Sequence, residues 1–424
     1  MVPDTAGPGA GNTPPPAKLV HTPTTQALHE SLVPEPFQGA RFMSILQPAP
    51  GVSWSGDGGE HTASWFSASG AAAPRKVVAV NDSLTADDAH RLAAHGTAML
   101  WQGDYHNARQ LLSAMARRLP TFARTKDEDV AKAFYRYRQG RAHRARMLGL
   151  VLIPLVPGPA VALRRAPDIA QAWMSAAGAV EEPTVTPLQD VLGAVGAYEW
   201  RRNGLFVQEL DAKIHPHYGT FAPIRSEYLA LVAETALPVV AGQPAPLAFD
   251  IGTGTGVLAA ILAKRGVQQV VATDSEPRAV ACAEENLHAL GLDNAVTVVQ
   301  GDMFPPGRAP LVVCNPPWLP GTANTLLDNA VYDPKSRMLR AFLAGLGQHL
   351  DAGGEGWLII SDLAEHLGLR SRADLLGWIA QAGLEVLGRV DTTAAHPKAM
   401  DASDPFYAAR AHEVTSMWRL GIKS

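Results

Sequence analysis

Cysteine is scarce in this chain, which has two among 424 residues, Cys282 and Cys314. Two cysteines cannot form a disulfide framework or a structural zinc cluster, and such low usage is typical of proteins from a reducing compartment. The first residues, MVPDTAGPGAGNTPPPAKL, also lack the basic start and the apolar core of a secretory signal. We therefore expect a cytoplasmic protein without a metal site.

A long uninterrupted apolar run is missing as well. The most apolar stretch, residues 147–163, is broken by Pro154, Pro157 and Pro159, and this argues against a membrane-spanning helix. Neither sign of charge dominates, because the formal net charge is −4 and 18% of the residues are charged. The composition excludes a uniformly basic nucleic-acid-binding protein, while a local basic surface remains compatible with it.

The length of 424 residues exceeds what one hydrophobic core usually contains, and it predicts two domains with an extension. Residues 1–25 are rich in Pro, Gly and Thr and are expected to form a disordered tail. Residues 26–205 predict a mixed α/β N-terminal domain, which either recognises a substrate or supports the fold. Residues 206–424 predict a second α/β domain that contains the motifs described below.

Strands and helices alternate clearly in the second domain, which predicts a doubly wound, seven-stranded and mostly parallel α/β sheet. The last two strands are joined by a loop, so an antiparallel hairpin is expected at the sheet edge. The helical stretches are 256–265, 276–290, 335–350 and 371–382. The apolar strand candidates are 246–251, 268–273, 295–300, 310–314, 356–361, 384–390 and 412–419.

A glycine-rich turn follows the first of these strands, where residues 250–256 read Asp-Ile-Gly-Thr-Gly-Thr-Gly. Glycines at such a turn let the backbone bend sharply and approach a ligand closely. A dinucleotide-binding turn would place its third glycine at position 257, where this chain has Val257. An acid and loop carbonyls suit a ligand with an ammonium group and a sulfonium, as in S-adenosylmethionine. The predicted contacts to the methionine part are Asp250, Gly252, Thr253, Gly254 and Gly256.

Acidic residues also follow the second and third strands. Asp274 ends the second strand, where a carboxylate can accept hydrogen bonds from both hydroxyls of a ribose, with a helix cap as the alternative role. Asp302 follows the third strand and is expected to accept a hydrogen bond from the adenine amine. Met303 and Phe304 are expected to offer apolar surface to the adenine ring.

The fourth strand ends in the tetrapeptide Asn315-Pro316-Pro317-Trp318. The two prolines stiffen the backbone and remove amide donors, which leaves the Asn315 side-chain oxygen and the Pro316 carbonyl free to accept hydrogen bonds. Two acceptors directed at one NH2 group would hold its nitrogen with the lone pair facing a methyl donor. Trp318 supplies a flat face for a planar amide or a base. We expect these four residues to form the catalytic site.

These motifs together resemble the class I S-adenosylmethionine-dependent methyltransferases of the HemK-like kind, over residues 215–390. The segment 221–227, Phe-Ala-Pro-Ile-Arg-Ser-Glu, resembles the segment that helps close the cofactor pocket in that family. The family usually has Tyr or Phe where this chain has Trp318. The resemblance implies a Rossmann-like methyltransferase sheet, S-adenosylmethionine as the cofactor, and N-methylation of a protein glutamine or of an exocyclic base amine in RNA or DNA. A small-molecule acceptor and a non-catalytic cofactor-binding scaffold are the alternatives.

A basic segment at residues 117–146 has ten Lys or Arg residues against three acids, interleaved with Phe134, Tyr135 and Tyr137. Most of it is expected to be a helix over residues 127–148. The segment predicts either a surface for nucleic acid or an acidic partner, or a solvated helix face whose arginines pair with acids elsewhere.

Two further segments have candidate roles. His215 and His217 lie too far in sequence from a third metal ligand, so we expect them to line the substrate entrance or to pack. Tyr332 and Asp333 lie in the loop that, in the resembled family, covers the substrate, and they are candidate substrate contacts on that ground.

Overall fold

Two α/β sheets make up the described part of the chain, which in this computed structural model is residues 51–423 without 57, 126, 241, 326 and 394–399. These residues pack as one compact unit. The expected disordered tail at residues 1–25 lies outside the described residues.

The first sheet is mixed, with β3, β4 and β5 running parallel to one another and β7 running antiparallel to β5. Its strands are β1 Gly51–Gly56, β2 Gly59–Trp65, β3 Lys76–Val80, β4 Thr97–Trp101, β5 Val151–Val156, β6 Ala160–Val161 and β7 Thr184–Pro187. The strand order is β1-β2-β7-β5-β4-β3, with β6 beside β5. All five residues of β4 are buried, as expected for a strand covered on both faces.

Five helices accompany this sheet, and three of them begin at side chains that accept a backbone N–H. The helices are α1 Ala86–Ala94, α2 Tyr105–Arg118, α3 Val130–Leu148, α4 Ala170–Ala177 and α5 Leu188–Asn203. The capping residues are Thr85, Asp104 and Asp129. The helix expected from residue 127 therefore starts at Val130, because Asp129 is its cap.

A short connection leads to the second sheet through β8 Leu205–Val207, β9 Ala212–Ile214, α6 Glu227–Glu234, β10 Val239–Val240 and β11 Gln243–Pro244. His217 lies in this connection, and its Nε2 is 2.8 Å from Glu285 Oε2. Arg201 Nη2 donates to the same oxygen at 2.5 Å. His217 thus packs in an ion-pair cluster, in agreement with the packing role expected for this segment.

The second sheet has the predicted seven strands in the order β14-β13-β12-β15-β16-β18-β17. The strands are β12 Leu247–Ile251, β13 Gln269–Asp274, β14 Val296–Gln300, β15 Ala309–Cys314, β16 Leu350–Ser361, β17 Leu384–Thr393 and β18 Val414–Ile422. The five neighbouring strands β14, β13, β12, β15 and β16 are parallel to one another. Strand β18 is antiparallel to both β16 and β17. The expected hairpin is therefore present, with β17 at the edge and β18 inserted beside β16.

Helices cover both faces of this sheet, as the strand–helix alternation predicts. They are α7 Val257–Lys264, α8 Pro277–Ala289, α9 Arg337–His349, α10 Leu363–His366, α11 Arg372–Gln381 and α12 Tyr407–Arg410. The buried residues of α9 are Leu339, Phe342, Leu343 and Leu346, whose spacing forms one apolar face. Among the described residues, no helix is long and apolar enough to cross a membrane.

Helix α3 accompanies the first sheet but packs against loops and helices that follow strands of the second sheet. Ala133 and Phe134 of α3 share a buried cluster with Leu319, Leu363 and Phe406. Each of these side chains is less than a tenth exposed, and burial of this kind contributes about 25 cal/mol per Å² of apolar surface. The helix is thus fixed beside the segment that follows β15.

Candidate active site

A cavity of about 1370 Å³ lies where β12, β13, β14 and β15 end. All four strands run parallel, so their carboxyl ends meet at one edge of the sheet. The cavity is lined there by the turns at 251–255, 274–276, 301–303 and 315–319. Its volume exceeds the roughly 300–1,000 Å³ that is usual for one small ligand. The space therefore suits two ligands side by side.

The three glycines of the first turn all have positive φ, at +74° for Gly252, +57° for Gly254 and +79° for Gly256. A Cβ on Gly256 would lie 3.2 Å from the Cα of Ala283 in α8, so this glycine permits close packing of turn and helix. Nothing described lies within 4 Å of a Cβ built on Gly254, which lines the cavity. The turn thus leaves open space beside Gly254 for a ligand.

Asp250 is buried beneath this turn and does not itself line the cavity among the residues described there. Its Oδ2 accepts hydrogen bonds from Thr253 Oγ1 at 2.7 Å and from the amide of Ala259 at 3.1 Å. Its Oδ1 is buried and has no hydrogen-bond partner among the described residues. Burial raises the pKa of Asp250 to about 6. The carboxylate holds the turn through one oxygen and leaves the other unpaired.

Asp274 lies at the end of β13 and lines the cavity. The amide of Gly254 donates to its Oδ2, and the amide of Glu276 donates to its Oδ1, both at 3.0 Å. Each oxygen keeps capacity for a second hydrogen bond. Burial raises the pKa of this carboxyl above its ordinary value. Asp274 is therefore held rigidly with acceptor capacity on both oxygens.

Asp302 and Met303 line the cavity after β14, whereas Phe304 does not. Met303 has a φ of +67°, and its carbonyl accepts a hydrogen bond from Thr273 Oγ1 at 2.6 Å. The Phe304 ring stacks on His349, with 4.5 Å between ring centroids. The expectation that Phe304 faces the adenine ring is wrong, because its ring packs against α9.

The catalytic tetrapeptide predicted from the sequence lines the cavity with all four residues, directly after β15. The indole Nε1–H of Trp318 donates to Asn315 Oδ1 at 2.8 Å. The expectation that the Asn315 oxygen is wholly free is therefore wrong. An amide oxygen has two lone pairs, so one remains for a ligand while the other fixes the orientation of the amide.

Trp318 is itself held from several directions. The Arg225 guanidinium lies over its ring at 4.9 Å from the centroid, and Arg225 Nη2 donates to Glu413 Oε1 at 2.8 Å. The Trp318 carbonyl accepts from Arg370 Nη1 at 3.4 Å. Arg225 belongs to the segment 221–227 that the sequence singled out for closing the pocket. That segment reaches the site through Trp318.

Tyr228 is a cavity residue that the sequence reasoning missed. It is fully buried in α6, its side chain lies within hydrogen-bonding reach of Asn315, and burial raises the pKa of its phenol. Its ring meets Trp318 edge-on, with centroids 6.4 Å apart. Tyr228 directly follows the segment 221–227, which is expected to help close the pocket, and this position could have indicated that it belongs to the site.

The loop after the tetrapeptide also lines the cavity, with Tyr332 and Asp333 among its residues. Asp333 is 4% exposed and its Oδ2 accepts from the amide of Leu339 at 3.1 Å. Asp333 thus stabilises the start of α9. Tyr332 lies under the guanidinium of Arg138 from α3, with Cζ 3.7 Å from the ring centroid.

These features fit S-adenosylmethionine in three respects. Open space adjoins Gly254, Asp274 has acceptor capacity at the end of the second strand, and Asp302 and Met303 line the cavity after the third strand. A ligand that combines cationic groups with ribose hydroxyls matches this set of groups.

Comparison with known proteins finds similar sequences for the region that contains these motifs. The family model described as Methyltransferase small domain matches residues 235–372. The release factor glutamine methyltransferase of Cereibacter sphaeroides is 32% identical over 126 residues, covering 29% of this chain and 42% of that protein. The ribosomal protein L11 methyltransferase of Pelotomaculum thermopropionicum is 31% identical over 177 residues, covering 41% of this chain and 55% of that protein. The chain thus spans about half the length of the curated relatives it matches.

Among solved structures, the ribosomal protein L11 methylase of Lactobacillus delbrueckii subsp. bulgaricus is similar at 18% identity with a TM-score of 0.32, covering 46% of this chain and 77% of that one. This likeness is too low to add to the argument. The sequence matches show that residues 235–372 are similar to a methyltransferase domain, in agreement with the expectation that S-adenosylmethionine is the cofactor.

Replacing Asp250 by Asn should stabilise the chain at neutral pH and weaken cofactor binding. The folded-state pKa near 6 lies above the ordinary value of 3.8, so the ionised carboxylate costs stability above about pH 6 and that cost is lost as the pH falls through 6 towards 4. We expect Asp250→Asn to raise the free energy of unfolding by on the order of 1–3 kcal/mol at pH 8 and by little at pH 4. Urea unfolding at both pH values measures this.

Asp190 provides the control, since burial raises its pKa to about 6 as well and it does not line the cavity. Asp190→Asn should change stability in the same direction and leave cofactor affinity unaltered. A loss of stability in Asp250→Asn at pH 8 would contradict the cost assigned to this buried carboxylate, and unchanged cofactor affinity would contradict its role in holding the glycine turn.

Proposed function

We propose that this protein is an S-adenosylmethionine-dependent N-methyltransferase of the HemK-like kind. Its acceptor is a planar nitrogen, either the carboxamide of a protein glutamine or an exocyclic base amine in RNA or DNA. One observation carries the proposal: Asn315-Pro316-Pro317-Trp318 and the glycine turn line one cavity at the ends of neighbouring parallel strands. A methyl donor on the turn would thus lie beside a group that binds N–H donors.

The chain's own residues would divide the work between donor and acceptor. When bound, S-adenosylmethionine supplies an electrophilic methyl group on a sulfonium. The glycine turn and Asp274 would hold the cofactor through backbone and carboxylate contacts, and Asp302 and Met303 would meet its adenine. The acceptor nitrogen would donate its hydrogens to Asn315 Oδ1 and to the Pro316 carbonyl. These two contacts orient its lone pair, and such positioning supplies a large part of the rate acceleration.

Labelling of fractionated cell material tests this proposal directly. The protein is incubated with methyl-labelled cofactor and with protein, RNA, DNA and small-molecule fractions from cells that lack it. Label in one macromolecular fraction that disappears with Asn315→Ala supports N-methylation at this site. Cofactor binding without label in any of these fractions contradicts the proposal and favours a cofactor-binding scaffold. Label confined to the small-molecule fraction would contradict a macromolecular acceptor and would show that the acceptor is a small molecule.

Replacing Asn315 by Ala should reduce turnover and leave cofactor affinity nearly unchanged. The side chain contacts Trp318 and Tyr228 on the acceptor side of the cavity, away from the glycine turn's hydrogen bonds. Loss of one preorganised polar contact in an active site typically costs on the order of 100-fold in kcat. Calorimetric titration with cofactor provides the comparison, and a comparable loss of cofactor binding would refute the assignment.

Replacing Asp274 by Ala should have the opposite profile. Its oxygens are the acceptors placed for ribose hydroxyls, and they also hold the amides of Gly254 and Glu276. We expect cofactor affinity to fall on the order of tenfold or more, which corresponds to about 1.4 kcal/mol or more, while kcat at saturating cofactor falls less. Unchanged cofactor affinity in the same calorimetric assay would remove Asp274 from the cofactor site.

Replacing Trp318 by Phe keeps an aromatic ring and removes the indole N–H. Because that N–H fixes the Asn315 amide, we expect a fall in kcat of about tenfold, the size of one net hydrogen bond, with unaltered cofactor affinity. Steady-state kinetics with the labelled acceptor measures this. If the aromatic surface alone mattered, Trp318→Phe would retain full turnover.

A further inference from the structure

Three residues of α3 line the catalytic cavity, namely Tyr137, Arg138 and Arg141. They lie about 180 residues before the tetrapeptide in sequence, on the helix that accompanies the first sheet. We propose that α3 forms one wall of the acceptor site and that Arg141 binds a phosphate of a polynucleotide acceptor. This inference rests on the proposed N-methyltransferase function and selects the base amine over the protein amide.

Arg138 attaches α3 to the loop that follows the tetrapeptide. Its Nη2 donates to the Thr322 carbonyl at 2.8 Å and to Asp328 Oδ2 at 3.0 Å, and its guanidinium covers the Tyr332 ring. The Arg138 side chain is 12% exposed, so these contacts are shielded from water and from salt. One arginine thereby fixes three points of the loop against α3. The wall is consequently a built part of the cavity.

Arg141 lies one helical turn further along α3 and differs from Arg138 in its partners. Its side chain is exposed, and the hydrogen bond found for it within the described residues goes to the Tyr137 hydroxyl at a long 3.4 Å. Asp328 acts on it electrostatically, but that carboxylate is already paired with Arg138. Arg141 therefore presents a guanidinium at the cavity with donors to spare, since a guanidinium has five N–H groups.

Most other cations of the cavity are committed to acids within the described residues. Arg138 pairs with Asp328, Arg225 with Glu413, and Arg410 with Asp404. Arg337, at the start of α9, lines the same cavity and is exposed without an ion pair to a described residue. Arg278 also lines the cavity, where its guanidinium lies 5.9 Å from the centroid of the Tyr218 ring. Arg141 and Arg337 are the exposed arginines among the described residues that line the cavity, so they are the ones placed to receive an external anion.

A polynucleotide acceptor explains these cations, whereas a glutamine side chain does not. A base that enters a closed cavity leaves its two flanking phosphates outside, where they need positive partners. A carboxamide brings no charge to the same place. Tyr137 beside Arg141, and Tyr135 with half of its surface exposed on the same helix, add the aromatic surface on which unpaired bases stack. The combination favours single-stranded RNA or DNA.

The test uses the full-length protein and fluorescently labelled single-stranded RNA and DNA oligonucleotides of mixed sequence. Binding is followed by anisotropy over a salt series. We expect Arg141→Gln to weaken binding about fivefold and to lower the slope of log K against log salt by about 0.7, the contribution of one phosphate contact on a single strand. Methylation by the same variant should show a raised KM and a retained kcat. A preference for RNA or for DNA identifies the natural acceptor, and either one supports the proposal.

Arg146→Gln is the matched control, since Arg146 is an exposed arginine of α3 that does not line the cavity and contacts His143. It should retain the affinity and the salt slope of the unmodified chain, and cofactor affinity should be unchanged in both variants. Equal salt slopes for Arg141→Gln and the unmodified chain would overturn the phosphate contact. The absence of oligonucleotide binding by a chain that binds cofactor would do the same.

The failure of this inference is distinguishable from failure of the proposed function. Methylation of a glutamine-containing protein, with no methylation of either nucleic acid, overturns the polynucleotide acceptor and leaves the N-methyltransferase standing. If Asn315→Ala and the unmodified chain give the same label in every fraction, the proposed function itself fails.

Discussion

The register of β12 with its two parallel neighbours is the constraint on which the site depends. Ile251, the last residue of β12, lies opposite Thr273 of β13 and Cys314 of β15. The next residues of the three strands are therefore Gly252, Asp274 and Asn315, side by side at one edge. A shift of β13 or β15 by one residue would turn the side chain of Asp274 or Asn315 to the opposite face of the sheet. Buried apolar residues on both faces of β12 and β15 hold this register.

Much of the second sheet and its helices could be predicted because the local signals there agree with the overall fold. Every strand candidate from 246 to 419 corresponds to an observed strand, since short apolar runs of this kind, separated by helical stretches and turns, have few other solutions. The glycine turn, Asp274 and the tetrapeptide meet in one cavity for the same reason. Residues that end neighbouring parallel strands must lie at one edge of the sheet.

Contacts between side chains distant in sequence could not be predicted in this way. The Trp318–Asn315 hydrogen bond depends on the rotamer of a tryptophan held by Arg225, about ninety residues earlier. The ring of Phe304 packs against His349 and Phe342 of α9 and therefore does not line the cavity. The sequence of the basic helix shows how many arginines it has but not which way each side chain points. The fold shows which of these arginines form ion pairs and which face the cavity.

The arginine-rich helix α3 contains arginines paired with nearby acids as well as an exposed arginine at the cavity. Arg136 pairs with Glu128 and Arg138 pairs with Asp328, so part of its charge is structural, as in a helix face neutralised by nearby acids. Arg141 is placed at the cavity by those very contacts, because Arg138 fixes α3 against the loop. The ion pair of Arg138 thus orients the exposed guanidinium of Arg141 one helical turn away. A flexible basic tail would attract anions without orienting them, whereas a helix packed into the wall of the cavity holds its cation at one place, as the proposed phosphate contact requires.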